Sequence, residues 1–272
     1  MPAKERRTRP TRRVARSTGS GSKRRLRRRW LKWFARAPLA LTLAAVLLGW
    51  AVVNTVYHVI RKPTELFFPV SERLYKNPEE TWRVYGGLFR AHATAVITPE
   101  LLAALAQVEA AGNPIARTYW RWELTTAPLE IYRPASSAVG MFQFTDGTFE
   151  EARRYCIHDH RVVEDGPWND FRSCWFNSLY FRVLPSHSIE LTSAYLDRRV
   201  ASTLARHGAE RAPLEKKHQL ATLIHLCGAG AGSEFVRRGF RLRPGERCGA
   251  HDVRGYLNRV ADMRAVFARL AR

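Results

Sequence analysis

The chain has 272 residues and a formal net charge of +21. That length suits one globular domain with appendages. Residues 1–36 hold 15 Lys and Arg against the single acid Glu5, two thirds of the net charge, and almost nothing apolar before Trp30. Such a segment cannot bury enough surface to fold, so it is excluded from the core and expected as a disordered basic tail.

From Ala37 to Ile60 no charged side chain occurs: "APLALTLAAVLLGWAVVNTVYHVI". The ~20 residues needed to cross a bilayer core are present, and Trp30, Trp33, Trp50 and Tyr57 stand where headgroups would lie. Dense basic residues on the N-terminal flank predict that this side stays in the cytoplasm, with anionic lipid headgroups as partners at roughly 1 kcal/mol per cation. The tail therefore serves an anchor, and no nucleic-acid partner is expected. "VYHVIRKP" offers no cleavage site of the signal-peptide kind, so residues 37–60 read as a retained transmembrane signal-anchor. The remainder then lies in the periplasm, attached to the inner (cytoplasmic) membrane as a single-pass protein.

Residues 61–77 form a juxtamembrane connector broken by Pro63 and Pro69. The domain proper, 78–272, begins with a helix at "PEETWRVYGGLFRAHA", whose Trp82, Tyr85 and Phe89 share one core-facing stripe. Thr98 caps a second helix, Glu100–Ala111, with Pro99 at its first position and Gly112 and Pro114 at its end. Further helices are predicted at Asp146–Tyr155, Ser188–Leu204, Glu215–Leu226 and His251–Leu270. Tyr119–Pro134 and Cys156–Trp175 read as irregular, aromatic-rich connections, and strand-like alternation is nearly absent. The fold class is mainly α, with about 190 residues to build one core.

All four cysteines (Cys156, Cys174, Cys227, Cys248) follow the apolar segment, and an even count in an oxidising compartment predicts disulfides. Of three connectivities, Cys156–Cys174 with Cys227–Cys248 is the simplest. Each bond would close a loop of about 20 residues, worth on the order of 3 kcal/mol. "CIHDH" brings Cys156, His158 and His160 together, but no second metal-like pair stands at a standard spacing, so no metal site is expected.

Within "LLAALAQVEAAGNP" (101–114), Glu109 shares a helical stripe with Leu102, Leu105 and Val108. Desolvation by that stripe and the negative end of the helix dipole both predict a raised pKa, as a general acid requires. In "SSAVGMFQFTDGTF" (136–149), Gly140 permits close backbone approach to a ligand. Gln143 offers an amide that donates and accepts, and Met141, Phe142 and Phe144 offer apolar surface to a sugar face.

Taken in order, these stretches resemble the catalytic domain of the soluble lytic transglycosylase family. "VEAAGNP" is similar to the family's Glu-Ser followed by Asn-Pro, which puts Glu109 at the catalytic glutamate. Gly140-Met141-Phe142-Gln143 is similar to its Gly-Leu-Met-Gln signature, followed by the helix start at Thr145–Thr148. "IELTSAYL" (Ile189–Leu196) resembles a helix carrying a Tyr-Leu pair. "GAGAG" (Gly228–Gly232) stands where the family has Ala-Tyr-Asn-Ala-Gly, and Tyr256 of "RGYLNRV" aligns with its cleft tyrosine. The matches cover about 98–267. Ala110 replaces the usual serine, and Cys227-Gly228 replaces Tyr-Asn, removing an amide expected to contact substrate. A longer span, "TYWRWELTTAPLEIYRP", reads as a reshaped cleft wall with Tyr119, Trp120 or Trp122 under a sugar ring.

The resemblance implies a lysozyme-like fold and a peptidoglycan substrate cleaved between N-acetylmuramic acid and N-acetylglucosamine. Glu109 alone would serve as acid and then base, with the muramyl N-acetyl group assisting, and a 1,6-anhydro ring would close without water. Gly140, Met141, Gln143, Tyr256 and Trp120 would contact glycan, with no metal or organic cofactor. If Glu123, Glu130, Asp146 or Glu190 placed a water, the reaction would be lysozyme-type hydrolysis. The Ala110 and Gly228 departures leave a third alternative, a non-catalytic glycan-binding scaffold associated with envelope or secretion-machine proteins.

Overall fold

The computed structural model describes residues 20–170 and 172–272. The chain divides into two units, residues 1–55 and 56–272. The first is dominated by helix α1 (Ser20–Arg61). Residues 1–19 of the expected tail lie outside the described residues. From Ser20 onward the tail is helical, where disorder was expected. Lys, Arg and Leu are good helix formers, and an established helix C-terminal to them removes the nucleation cost. Pro38–Arg61 has a mean hydropathy of 2.0 and is the one helix among the described residues long and apolar enough to cross a membrane. Its leucines and valines, Leu41, Leu47 and Val53 among them, face outward.

The second unit is mainly helical: α2 (Phe68–Ser71), α3 (Pro78–Ala91), α4 (Pro99–Ala110), α5 (Asp146–Ala152), α6 (Pro185–Arg206), α7 (Leu214–Arg237) and α8 (Val253–Leu270). Three two-stranded antiparallel ribbons accompany them: β1–β2 (Trp120–Trp122 with Tyr132–Pro134), β3–β4 (Tyr155–His158 with Arg161–Glu164) and β5–β6 (Arg247–Cys248 with His251–Asp252). The first two occupy stretches expected to be irregular. In β3–β4 the two-residue turn is Asp159-His160, both at positive φ (49° and 60°). That is the left-handed turn matching strand twist, made here by residues other than the usual Asn-Gly.

Helix α4 is the centre of the core. Leu101 through Ala106 are buried on every side, which a Leu/Ala sequence allows because small side chains let neighbouring helices close in. Burying each leucine contributes about 1.5–3 kcal/mol. The α3 stripe packs as expected, Trp82 lying 5.8 Å from Phe267 of α8 ring to ring. α3 itself begins with a full capping box between Asn77 and Glu80.

α7 runs past its expected end, through "GAGAG", but breaks at Gly228, where φ is 80° and ψ 173°. After the break its second half packs against its first. A Cβ on Gly232 would lie 2.6 Å from Ile224 Cγ1. Those two glycines make the folded-back shape.

Cys156 and Cys174 form a disulfide. Cys227 and Cys248 are free thiols in contact, not the second disulfide expected. Burial and the neighbouring Cys248 raise the Cys227 thiol's pKa.

Candidate active site

The end of α4 is locked in place from several directions. Ala111 takes the left-handed conformation (φ 45°) and Gly112 follows at 63°, where a Cβ would lie 2.3 Å from Thr81 Oγ1. Lys76 N–H donates to Ala111 O (2.8 Å). Gln107 accepts from Thr81 Oγ1 (2.7 Å) and donates to Lys76 O (2.9 Å). Asn113, wholly buried, donates to Ser71 O (2.7 Å). Glu109 lies inside this framework, so its backbone has little freedom.

Its side chain is 18% exposed. Tyr256, buried in the first turn of α8, donates its hydroxyl to Glu109 Oε1. His225 Nε2 of α7 lies 3.6 Å from the same oxygen. Among the described residues Oε2 has no hydrogen-bond partner, yet it is not sealed off as an orphaned buried atom. One oxygen is anchored and the other is open. Orientation of the carboxylate thus comes from Tyr256 and His225.

The electrostatics overturn one expectation. Burial pushes the Glu109 pKa up, as its apolar stripe suggested. Hydrogen bonding and charge from His225, the Tyr256 hydroxyl and the charge of His251 outweigh that burial, and the net shift is downward. Glu109 is a carboxylate at rest. The Tyr256 hydroxyl, buried beside that carboxylate, is raised well above the ordinary tyrosine range and stays protonated. His225 went unnoticed in the sequence because a lone histidine within a helix carries no pattern. Its place three residues before Gly228 was the one available signal.

The other expected glycan contacts are placed differently. Val139 and Phe144 exchange backbone hydrogen bonds (3.1 and 3.0 Å), closing Gly140–Gln143 into a tight loop. Gly140 is required there by protein and not by ligand: a Cβ would lie 2.6 Å from Arg182 O and 3.1 Å from Pro114 O. Met141 is 0% exposed and Phe142 and Phe144 are buried, so they fill the core and offer no face to a sugar. The Gln143 amide nitrogen donates to Gly140 O (2.9 Å) and Ala116 O (3.3 Å), which holds the loop against the strand-like segment after α4. Trp120 donates to Glu65 Oε2 (2.8 Å) and packs between His58 and Tyr132 rings. These contacts fasten β1 to Glu65 of the connector and to His58.

The four other acids are engaged elsewhere. Glu123 pairs with Arg133 and Arg121, Glu130 with Arg61 and Arg133, and Asp146 with Arg182 (2.8 Å). Glu190 is buried, accepting from Ile157 N–H (3.0 Å) and Tyr180 Oη (2.8 Å). In "CIHDH", Cys156 is consumed by the disulfide and the His160 ring bonds Ala93 O (2.8 Å). Two surface cavities of about 430 and 370 Å³ lie beside Asp197 and beside Phe235; Glu109 lines neither. A scan against protein-family models finds no match to this chain, and searches of curated proteins and of solved structures return none either.

Proposed function

We propose that this chain is a membrane-anchored lytic transglycosylase with a lysozyme-like catalytic domain, acting on periplasmic peptidoglycan. The observation that carries the reading is the half-anchored carboxylate. Glu109 and Tyr256, 147 residues apart in sequence, are the two positions that the family resemblance aligned independently, and they are hydrogen-bonded to each other. A glutamate held through one oxygen, with the other open, suits a group that must meet a glycosidic oxygen and later a hydroxyl.

In this mechanism Glu109 takes up a proton before the chemical step, because its resting form is the carboxylate. A bound strand favours that uptake by displacing water from Oε2 and deepening the desolvation already present. Glu109 then protonates the oxygen between N-acetylmuramic acid and N-acetylglucosamine while the muramyl N-acetyl group assists at the anomeric carbon. The regenerated carboxylate takes the proton of the muramyl C6 hydroxyl as that oxygen closes the 1,6-anhydro ring. Tyr256 and His225 hold the carboxylate through both transfers. The four rival acids are paired elsewhere, and among the described residues no second carboxylate is bonded into this cluster to place the water of a lysozyme-type hydrolase.

The apolar length of Pro38–Arg61 and the basic flank support single-pass insertion in the inner membrane, N-terminus in the cytoplasm. A second reading, a non-catalytic glycan-binding module, is favoured by the resting charge on Glu109. Both are decided by incubating the detergent-solubilised full chain with purified peptidoglycan and weighing the soluble muropeptides. Products lighter by one water, lost in Glu109→Gln, support the transglycosylase. Hydrated reducing ends indicate a hydrolase, and binding without products from pH 4 to 8 indicates the module.

A further inference from the structure

The β1–β2 hairpin is clasped to the residues that end α1. His58 bonds Leu129 O (2.8 Å), Arg61 pairs with Glu130 (3.6 Å), and Glu65 accepts from both Arg117 (3.1 Å) and Trp120 (2.8 Å). Lys62, buried beside Glu65 (3.2 Å), reaches Ser136 O (3.3 Å) just past the second strand. The ribbon is therefore held at the level of the helix's last turn. On it, Tyr119 is 74% exposed, Trp122 69% and Leu124 105%. Leu66 and Phe67, adjoining Glu65 in the chain, are exposed too.

Trp122 packs against Tyr132, 4.6 Å ring to ring, and still leaves most of its surface exposed. Tryptophan and tyrosine interleaved with arginine, as in "YWRW", are the residue types that settle between headgroups and acyl chains. A ribbon fastened to the terminal turn of a membrane-crossing helix meets that layer directly. We infer that the β1–β2 hairpin is a second membrane contact, seating Trp122, Tyr119 and Leu124 in the outer headgroup layer of the membrane that α1 crosses. The occupant of this surface is phospholipid. The inference rests on the reading of Pro38–Arg61 as a span, and goes beyond it by fixing which edge of the domain faces the bilayer.

The test reconstitutes the full chain in vesicles of phosphatidylcholine and phosphatidylglycerol, with or without acyl-chain bromination. Flotation with the vesicles reports the anchor. The emission of wild type less that of Trp122→Phe, which keeps an aromatic ring against Tyr132, reports the hairpin. We expect the protein to float and the Trp122 contribution to fall about twofold in brominated vesicles, as for a ring at the headgroup–acyl boundary. It should also be shielded from aqueous iodide. Flotation with Trp122 open to iodide and insensitive to bromine overturns the inference and leaves the anchor standing. Failure to float overturns both. Iodide shielding without bromine quenching assigns the face to a second copy of the chain, and shielding that appears only on adding muropeptides assigns it to glycan. Either result also overturns it.

Discussion

Two glutamates, one buried and one half-buried, stand in similar company. Glu109 and Glu190 each accept from a tyrosine hydroxyl, and each has a histidine within 4 Å: His225 at 3.6 Å and His92 at 3.8 Å. They differ in what is left over. Glu190 spends both oxygens, one on the Ile157 N–H and one on Tyr180, and its side chain is 9% exposed. Glu109 concentrates both partners on one oxygen and is 18% exposed. A saturated carboxylate is a structural joint, here tying α6 to β3. A carboxylate with one oxygen unspent retains a capacity for chemistry. Burial alone does not separate the two; whether one oxygen is left without a hydrogen bond does.

Substitutions should separate them sharply. Glu109→Gln should cut anhydromuropeptide release by roughly 100- to 10,000-fold, the range for losing a general acid–base group, while thermal unfolding stays close to wild type. Wild-type turnover in that variant would place the chemistry elsewhere. Tyr256→Phe should slow cleavage by about tenfold, the worth of one hydrogen bond to a charged group. Glu190→Ala reverses the pattern. Orphaning the Ile157 N–H should cost ~1–3 kcal/mol, read as a lowered Tm, with specific activity retained below the transition.

The smallest effects concern pH. His225→Gln keeps a hydrogen-bonding side chain but removes the charge that depresses Glu109. Its pKa should rise, and the alkaline limb of the kcat/KM profile, where Glu109 must still be protonated, should move to higher pH. An unmoved limb would show that His225 does not govern this carboxyl. Stability gives an independent reading. A carboxylate depressed in the folded state contributes stability that is present above its unfolded pKa of about 4.3 and lost as pH falls through its folded value. Urea unfolding of wild type should weaken over that acid range, and Glu109→Gln should show a shallower decline.

Much of the scaffold was legible because its signals are local. Thr98-Pro99 and Gly112 mark the ends of α4 to within a residue or so, and the α3 aromatic stripe follows helical periodicity. The Glu109–Tyr256 pair was reachable through the order of motifs. What escaped depends on groups remote in sequence. The apolar stripe predicts the desolvation of Glu109 correctly, but the sign of its net shift is set by His225, Tyr256 and His251, which arrive from α7, α8 and β6. Met141 was misplaced because an apolar residue in a glycine-containing loop reads equally as core or as contact surface, and only packing against other elements decides. The β3–β4 turn was missed because Asp159-His160 adopts a geometry usually signalled by Asn-Gly.

Gly228 closes off one route of repair. The resembled family carries an asparagine there, and nothing lies within 4 Å of a side chain built at this position. Space is thus freely available, but at φ 80° and ψ 173° the main chain itself refuses any residue except glycine. Restoring the amide by a single codon change would require rewinding the helix around it. If the chain grips a glycan as proposed, that grip is supplied by a residue other than 228, a commitment recorded in torsion angles and not in any side chain.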